Sequence, residues 1–90
     1  MREYNKIDPR YIVWRTSVFK RDKHKCQMPG CKFKKGRIQA HHIVRWADCP
    51  ILRYNVANGI TLHNKCHRRV TGNENLYIAI FKKIVRENTK

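Results

Sequence analysis

The sequence predicts a small α+β domain braced by a metal ion. Three patterns predict it: apolar residues at helical period towards both ends, two short β-type stretches between them, and two distant pairs of closely spaced cysteine and histidine residues. Asp8-Pro9 is a helix start, an N-cap acid followed by proline at the first helical position. Tyr11, Trp14 and Val18 then recur at helical spacing among Arg and Lys, so a helix is expected over about 9–23. It ends before the Met28-Pro29-Gly30 turn. Ile38, Ala40 and Ile43 mark a strand over Arg37 to Ile43, preceded by a turn at Gly36. A long loop from Val44 to Ala57 carries Cys49-Pro50. Ile60 to Leu62 reads as the second strand, and Asn64 to Val70 as a short helix broken by Gly72. Thr71 to Glu74 has capping-box spacing. Tyr77, Ile80, Phe81 and Ile84 then form an apolar stripe, giving a last helix over about 73–87. The whole reads as one domain, 1–90, with its core at about 37–71.

A chain of 90 residues buries only roughly 60% of its unfolded surface, so a staple beyond the apolar core is expected. Lys and Arg number 21 against 6 Asp and Glu, a formal charge of +15. Such an excess repels itself unless an anionic partner is present, and nucleic acid is the leading one. A membrane surface would require a basic amphipathic helix with a strong apolar face, or a lipidation signal. The first residues, MREYNKIDPRY, have neither an apolar signal-peptide core nor a myristoylation pattern, and no stretch approaches a membrane span. A soluble, cytoplasmic protein with no membrane and no small-molecule cofactor is expected. In that setting Cys26, Cys31, Cys49 and Cys66 read as metal ligands or free thiols rather than disulfides.

Cys26 and Cys31 flank four residues, and His63 and Cys66 flank two. Two short ligand pairs far apart in sequence are the arrangement of a tetrahedral structural zinc site. Binding such an ion supplies an apparent ~10–16 kcal/mol, more than most domains have in total. A rival pairing sets His63 with His67, four residues apart on one helix face, but leaves Cys66 and the first cysteine pair without a task. Cys49 lies outside both pairs and reads as a packed or free thiol. His24 reads as solvated.

The doublet His41-His42-Ile43 is followed by Asn58 and then by Cys66-His67. Adjacent residues of a strand point to opposite faces, so the two rings suit a division of labour rather than one shared ion. The segments RDKHKCQMPGC, GRIQAHHIVRWADCP and NGITLHNKCHRRVTGNE, in that order, resemble the HNH endonuclease family from about Arg21 to about Glu74. The resemblance implies a ββα-metal core, a two-stranded hairpin on one helix with a divalent ion between them. It implies that His41 and His67 are ligands, that His42 is the general base, and that Asn58 braces the long loop and so fixes the His42 ring. Many members carry a third histidine four residues after the His67 position, where this chain has Thr71. A hydrated Mg2+ or Mn2+ is therefore expected, with Ni2+ or Zn2+ as the alternatives. DNA products with 5′-phosphate and 3′-hydroxyl ends, and a phage or mobile-element origin, are further implications of the resemblance.

Lys34, Lys35, Arg37, Arg45, Arg68 and Arg69 surround these motifs, and the net excess of charge assigns them to phosphate contacts. Double-stranded DNA is the expected substrate. Trp46 and Tyr54 either pack the loop or touch DNA. Two other readings stay open on sequence: a zinc-stabilised nucleic-acid-binding module without catalysis, and a nuclease directed at RNA.

Overall fold

A computed structural model describes residues 8–32, 36–45 and 50–89. Among these residues it is an α+β fold with three helices and one two-stranded antiparallel sheet. Helix α1 (Pro9–Arg21) precedes strand β1 (Ile38–His42); two single-turn 3-10 segments (Pro50–Leu52 and Val56–Asn58) lead into β2 (Gly59–His63). Helices α2 (Asn64–Val70) and α3 (Glu74–Asn88) follow. No helix among the described residues is long and apolar enough to cross a membrane.

Helix α1 starts where Asp8 accepts from Arg10 N, with Pro9 at the first position. It stops at Arg21, two residues short of the expected end, and Lys23 and His24 take left-handed backbone angles. The strands are paired from Ile38 opposite His63 to His42 opposite Gly59. This register gives the sheet two different faces. Ile60 and Leu62 enter a core with Met28, Ile43, Cys66, Val70, Phe81 and Val85, while the face carrying His42 and Gly59 meets α1. A Cβ on Gly59 would lie 2.5 Å from Val18 and 2.7 Å from Trp14. Asn58-Gly59, which alone reads as a turn, is instead the site where β2 and α1 come into closest contact, and only glycine leaves the room.

The expected capping box is corrected. Asn73, not Thr71, is the N-cap residue of α3, and it makes no side-chain cap bond. Thr71 belongs to the preceding helix: its amide and hydroxyl both donate to the His67 carbonyl, closing the C-terminus of α2. Tyr54 packs the long loop, since its hydroxyl donates to Asp8 and the Arg10 guanidinium lies 4.6 Å over its ring. Trp46, Cys49, Lys34 and Lys35 lie outside the described residues.

One buried ion pair ties the elements together. Asp22 is 3% exposed and accepts both guanidinium bonds of Arg21, the amide of Thr61 on β2, and the side-chain amide of Asn88 at the end of α3. Arg21 also donates to the Val56 and Gly59 carbonyls. Removing one member of such a pair leaves its partner charged and desolvated. Asp22→Ala should therefore lower the unfolding free energy by about 3–5 kcal/mol in urea titrations. A loss under about 1 kcal/mol, the range of exposed ion pairs, would show that this network does not hold α1, β2 and α3 together.

Candidate metal and catalytic site

Three of the four described ligand candidates for the structural metal converge. The sulfurs of Cys26, Cys31 and Cys66 all lie within 4.8 Å of one another, with Cys31 and Cys66 at 3.5 Å. The fold brings them there by main-chain bonds. Gln27 N donates to Thr61 O and pins the first cysteine loop to β2, and Cys31 N donates to Met28 O to close its turn. Gly30 supplies the left-handed angle that this turn needs. Backbone amides of His63 and Met28 point at the Cys26 sulfur, and Cys66 sits fully buried in α2.

Burial pushes the Cys66 thiol up to about 12, and hydrogen bonding to Cys31 and Cys26 adds to the effect. Burial likewise raises Cys26. Three soft donors held side by side, where their own charges repel, suit a thiophilic cation such as zinc, which favours the thiolate form. His63 is buried and lines the same cleft as Cys26, Cys31, His24 and Gly36. Its Nδ1 accepts from Lys65 N and caps α2, and its ring lies so close to Gly36 that a Cβ there would be 2.7 Å from Nε2. It is not a member of the three-donor group. The rival pairing of His63 with His67 is separated by the fold, because His63 faces the cysteine cleft and His67 faces His41.

The second cluster is built at the junction of β1, α2 and α3. His41 points into the core face and is 7% exposed. Its ring centroid lies 5.4 Å from that of His67 and 5.8 Å from that of Phe81, edge-on to both. His41 Nε2 is buried without a hydrogen-bond partner. Burial, with the neighbouring His67 next in weight, pushes the His41 ring down to about 4. Burial also lowers His67, and the Glu74 carboxylate opposes the shift at both rings. Both imidazoles are thus neutral at pH 7, the form that ligates a metal. A buried ring nitrogen lacking a partner beside a second neutral imidazole fits a divalent ion.

His42 points the other way. Its ring stacks on Trp14 at 4.0 Å with 10° between the planes, and its Nε2 lies 2.9 Å from the Arg53 carbonyl. A carbonyl can only accept, so Nε2 carries the proton and the lone pair of the neutral ring falls on Nδ1. Burial lowers the His42 pKa, and the bond to the Arg53 carbonyl partly offsets this. Asn58 is 5% exposed. Its amide donates to the Val44 and Leu52 carbonyls and accepts from Val44 N, while its own carbonyl accepts from Ile43 N. It therefore clamps the loop that presents Arg53 to the end of β1 that presents His42.

Of the expected phosphate contacts, Arg37, Arg45, Arg68 and Arg69 are exposed. Arg37 precedes β1, Arg45 follows it, and Arg68 and Arg69 lie on α2 next to His67. Sequence reasoning missed the partners of His42. Trp14 was legible as an apolar position of α1 but nothing marked its contact, and a main-chain carbonyl such as that of Arg53 has no sequence signature.

The HNH endonuclease family model matches residues 26–73, more than half of the chain, and covers the cysteine loop, both strands and α2. No curated protein and no solved structure matches it. Purified protein should carry about one zinc per chain by elemental analysis. Cys26→Ala or Cys66→Ala should lower the melting temperature far more than Cys49→Ala, since a zinc ion held there would contribute an apparent ~10 kcal/mol or more. Folded, reduced protein without zinc would contradict this assignment.

Proposed function

Since this chain belongs to the HNH endonuclease family, we propose that it hydrolyses phosphodiester bonds in double-stranded DNA, with His42 as general base and a divalent ion held by His41 and His67. The observation that carries the reading is the pair of neutral imidazoles, His41 with an unpartnered buried Nε2 and His67 beside it. The exposed arginines at both ends of β1 and on α2 favour a phosphate backbone, and double-stranded DNA is the substrate that the family resemblance implies.

In this mechanism His42 Nδ1 takes the proton of the attacking water, and Nε2 stays bonded to the Arg53 carbonyl, which stabilises the imidazolium that results. Trp14 holds the ring plane from one side, and its own indole N–H is anchored on the Asn55 carbonyl. Asn58 keeps the loop closed through its three side-chain bonds. When bound, the divalent ion supplies positive charge to the phosphate and the leaving oxygen. Magnesium or manganese suits a site with few protein ligands, with nickel and zinc as the alternatives.

Supercoiled plasmid tests this with magnesium, manganese, nickel and zinc. His42→Ala should lower nicking by about 10²–10⁴-fold, the range for a general base, with DNA affinity within about threefold, since phosphate contacts come from Lys and Arg. His67→Ala should also abolish cleavage and should weaken metal binding, which His42→Ala leaves intact. Nicking by His42→Ala at the wild-type rate would refute the assignment of the base.

A further inference from the structure

We propose that Glu74 is the third protein donor to the divalent ion at His41 and His67, in the role expected of the position held by Thr71. This rests on the proposed metal site. Thr71 is engaged in closing α2, its hydroxyl donating to the His67 carbonyl, and a neutral hydroxyl is a weaker donor to a divalent ion than a carboxylate. Three residues later the chain has turned, through Gly72 at a left-handed angle and the bond from Asn73 N to Val70 O, and starts α3 at Glu74.

The face of α3 that carries Glu74 is the one that meets the histidines. Phe81 contacts the His41 ring, and Glu74 precedes Phe81 by seven residues, two helical turns, on the same side. Glu74 is only partly exposed, and its charge acts on both rings. His41 Nε2, nine-tenths buried and without a partner, belongs to the ring that packs edge-on against His67 and Phe81.

The other acids described have different settings. Asp8 is paired with Arg10 and Asp22 with Arg21, and Glu87 is exposed near the far end of α3. Glu74 forms no salt bridge among the described residues, in a chain with 21 Lys and Arg. Its carboxylate and the two ring nitrogens do not yet lie within the 4.8 Å span of a shared donor group. A shared ion would require the Glu74 side chain to take another staggered rotamer. A carboxylate with two imidazoles makes a mixed oxygen and nitrogen set with room left for water, which suits manganese or magnesium.

Manganese binding to the zinc-loaded protein, followed by the EPR signal of free Mn2+ and without any nuclease assay, tests the proposal. Glu74→Gln should raise the Mn2+ dissociation constant at least tenfold while zinc content and thermal unfolding stay near wild type. Glu87→Gln makes the same change in net charge and should leave Mn2+ affinity within about twofold. If His67→Ala weakens Mn2+ binding and Glu74→Gln does not, the histidine site stands and the role of Glu74 is overturned. If neither variant weakens it, the site itself is elsewhere and both readings are refuted. A purely structural role at the start of α3 would move the melting temperature of Glu74→Gln and not its Mn2+ affinity.

Discussion

The alternation of side chains along β1 governs this site. In a strand, neighbours project to opposite faces, so His41 and His42 meet different chemistry although one peptide bond joins them. His41 enters the core side, where His67 and Phe81 surround it. His42 enters the α1 side, where it finds the Trp14 face and the Arg53 carbonyl. Register then fixes what stands opposite: Ile60 faces His41, and Gly59 faces His42. With no side chain at Gly59, Trp14 lies against the sheet and reaches the His42 ring. A shift of one residue would exchange the two faces and dissolve both clusters.

A sheet of two strands is marginal alone, so its register needs support from its neighbours. Thr61, at the middle of β2, is held twice: its carbonyl accepts from Gln27 N of the cysteine loop, and its amide donates to Asp22. Asp22 and Arg21 extend this hold to Val56, Gly59 and Asn88. The thiol cluster also lies against the apolar core, since Cys66 is a core member and Cys26 and Cys31 pack on it. A metal at the thiols would therefore stabilise the sheet and the helix that carry His41 and His67, without sharing a ligand with them. The two clusters are adjacent in α2, Cys66 turned to one and His67 to the other.

Much of this architecture was legible because short-range rules governed it. Asp8-Pro9 starts α1, and the bounds of α2 match the reading of Asn64 to Val70. The pairs Cys26/Cys31 and His63/Cys66 announced a metal-type cluster because ligand pairs on tight turns have few other uses, and the three cysteines of that set converge while His63 stands outside the group. Thr71 to Glu74 misled, since capping-box spacing is equally compatible with a threonine that closes one helix and an acid that opens the next. The task of Gly59 had no local signal: an asparagine-glycine pair by itself fits a turn, whereas here the glycine answers to packing by Trp14 and Val18 from a distant helix. The Asp22 network was invisible in sequence. Its partners Thr61, Val56, Gly59 and Asn88 are joined largely through main-chain atoms, and only the fold determines which amide or carbonyl reaches a buried charge.

On the proposed reading the two adjacent histidines have separate tasks, His41 holding an ion and His42 held by the Arg53 carbonyl. Cadmium-113 loaded protein with nitrogen-15 labelled imidazoles reads this directly. The account predicts, for an ion distinct from the thiol-bound one, scalar coupling to His41 Nε2 and to His67. His42 should show no coupling and should remain the tautomer protonated at Nε2, as the bond to the Arg53 carbonyl requires. Coupling of that ion to His42, or its absence at His41, would contradict the division of labour.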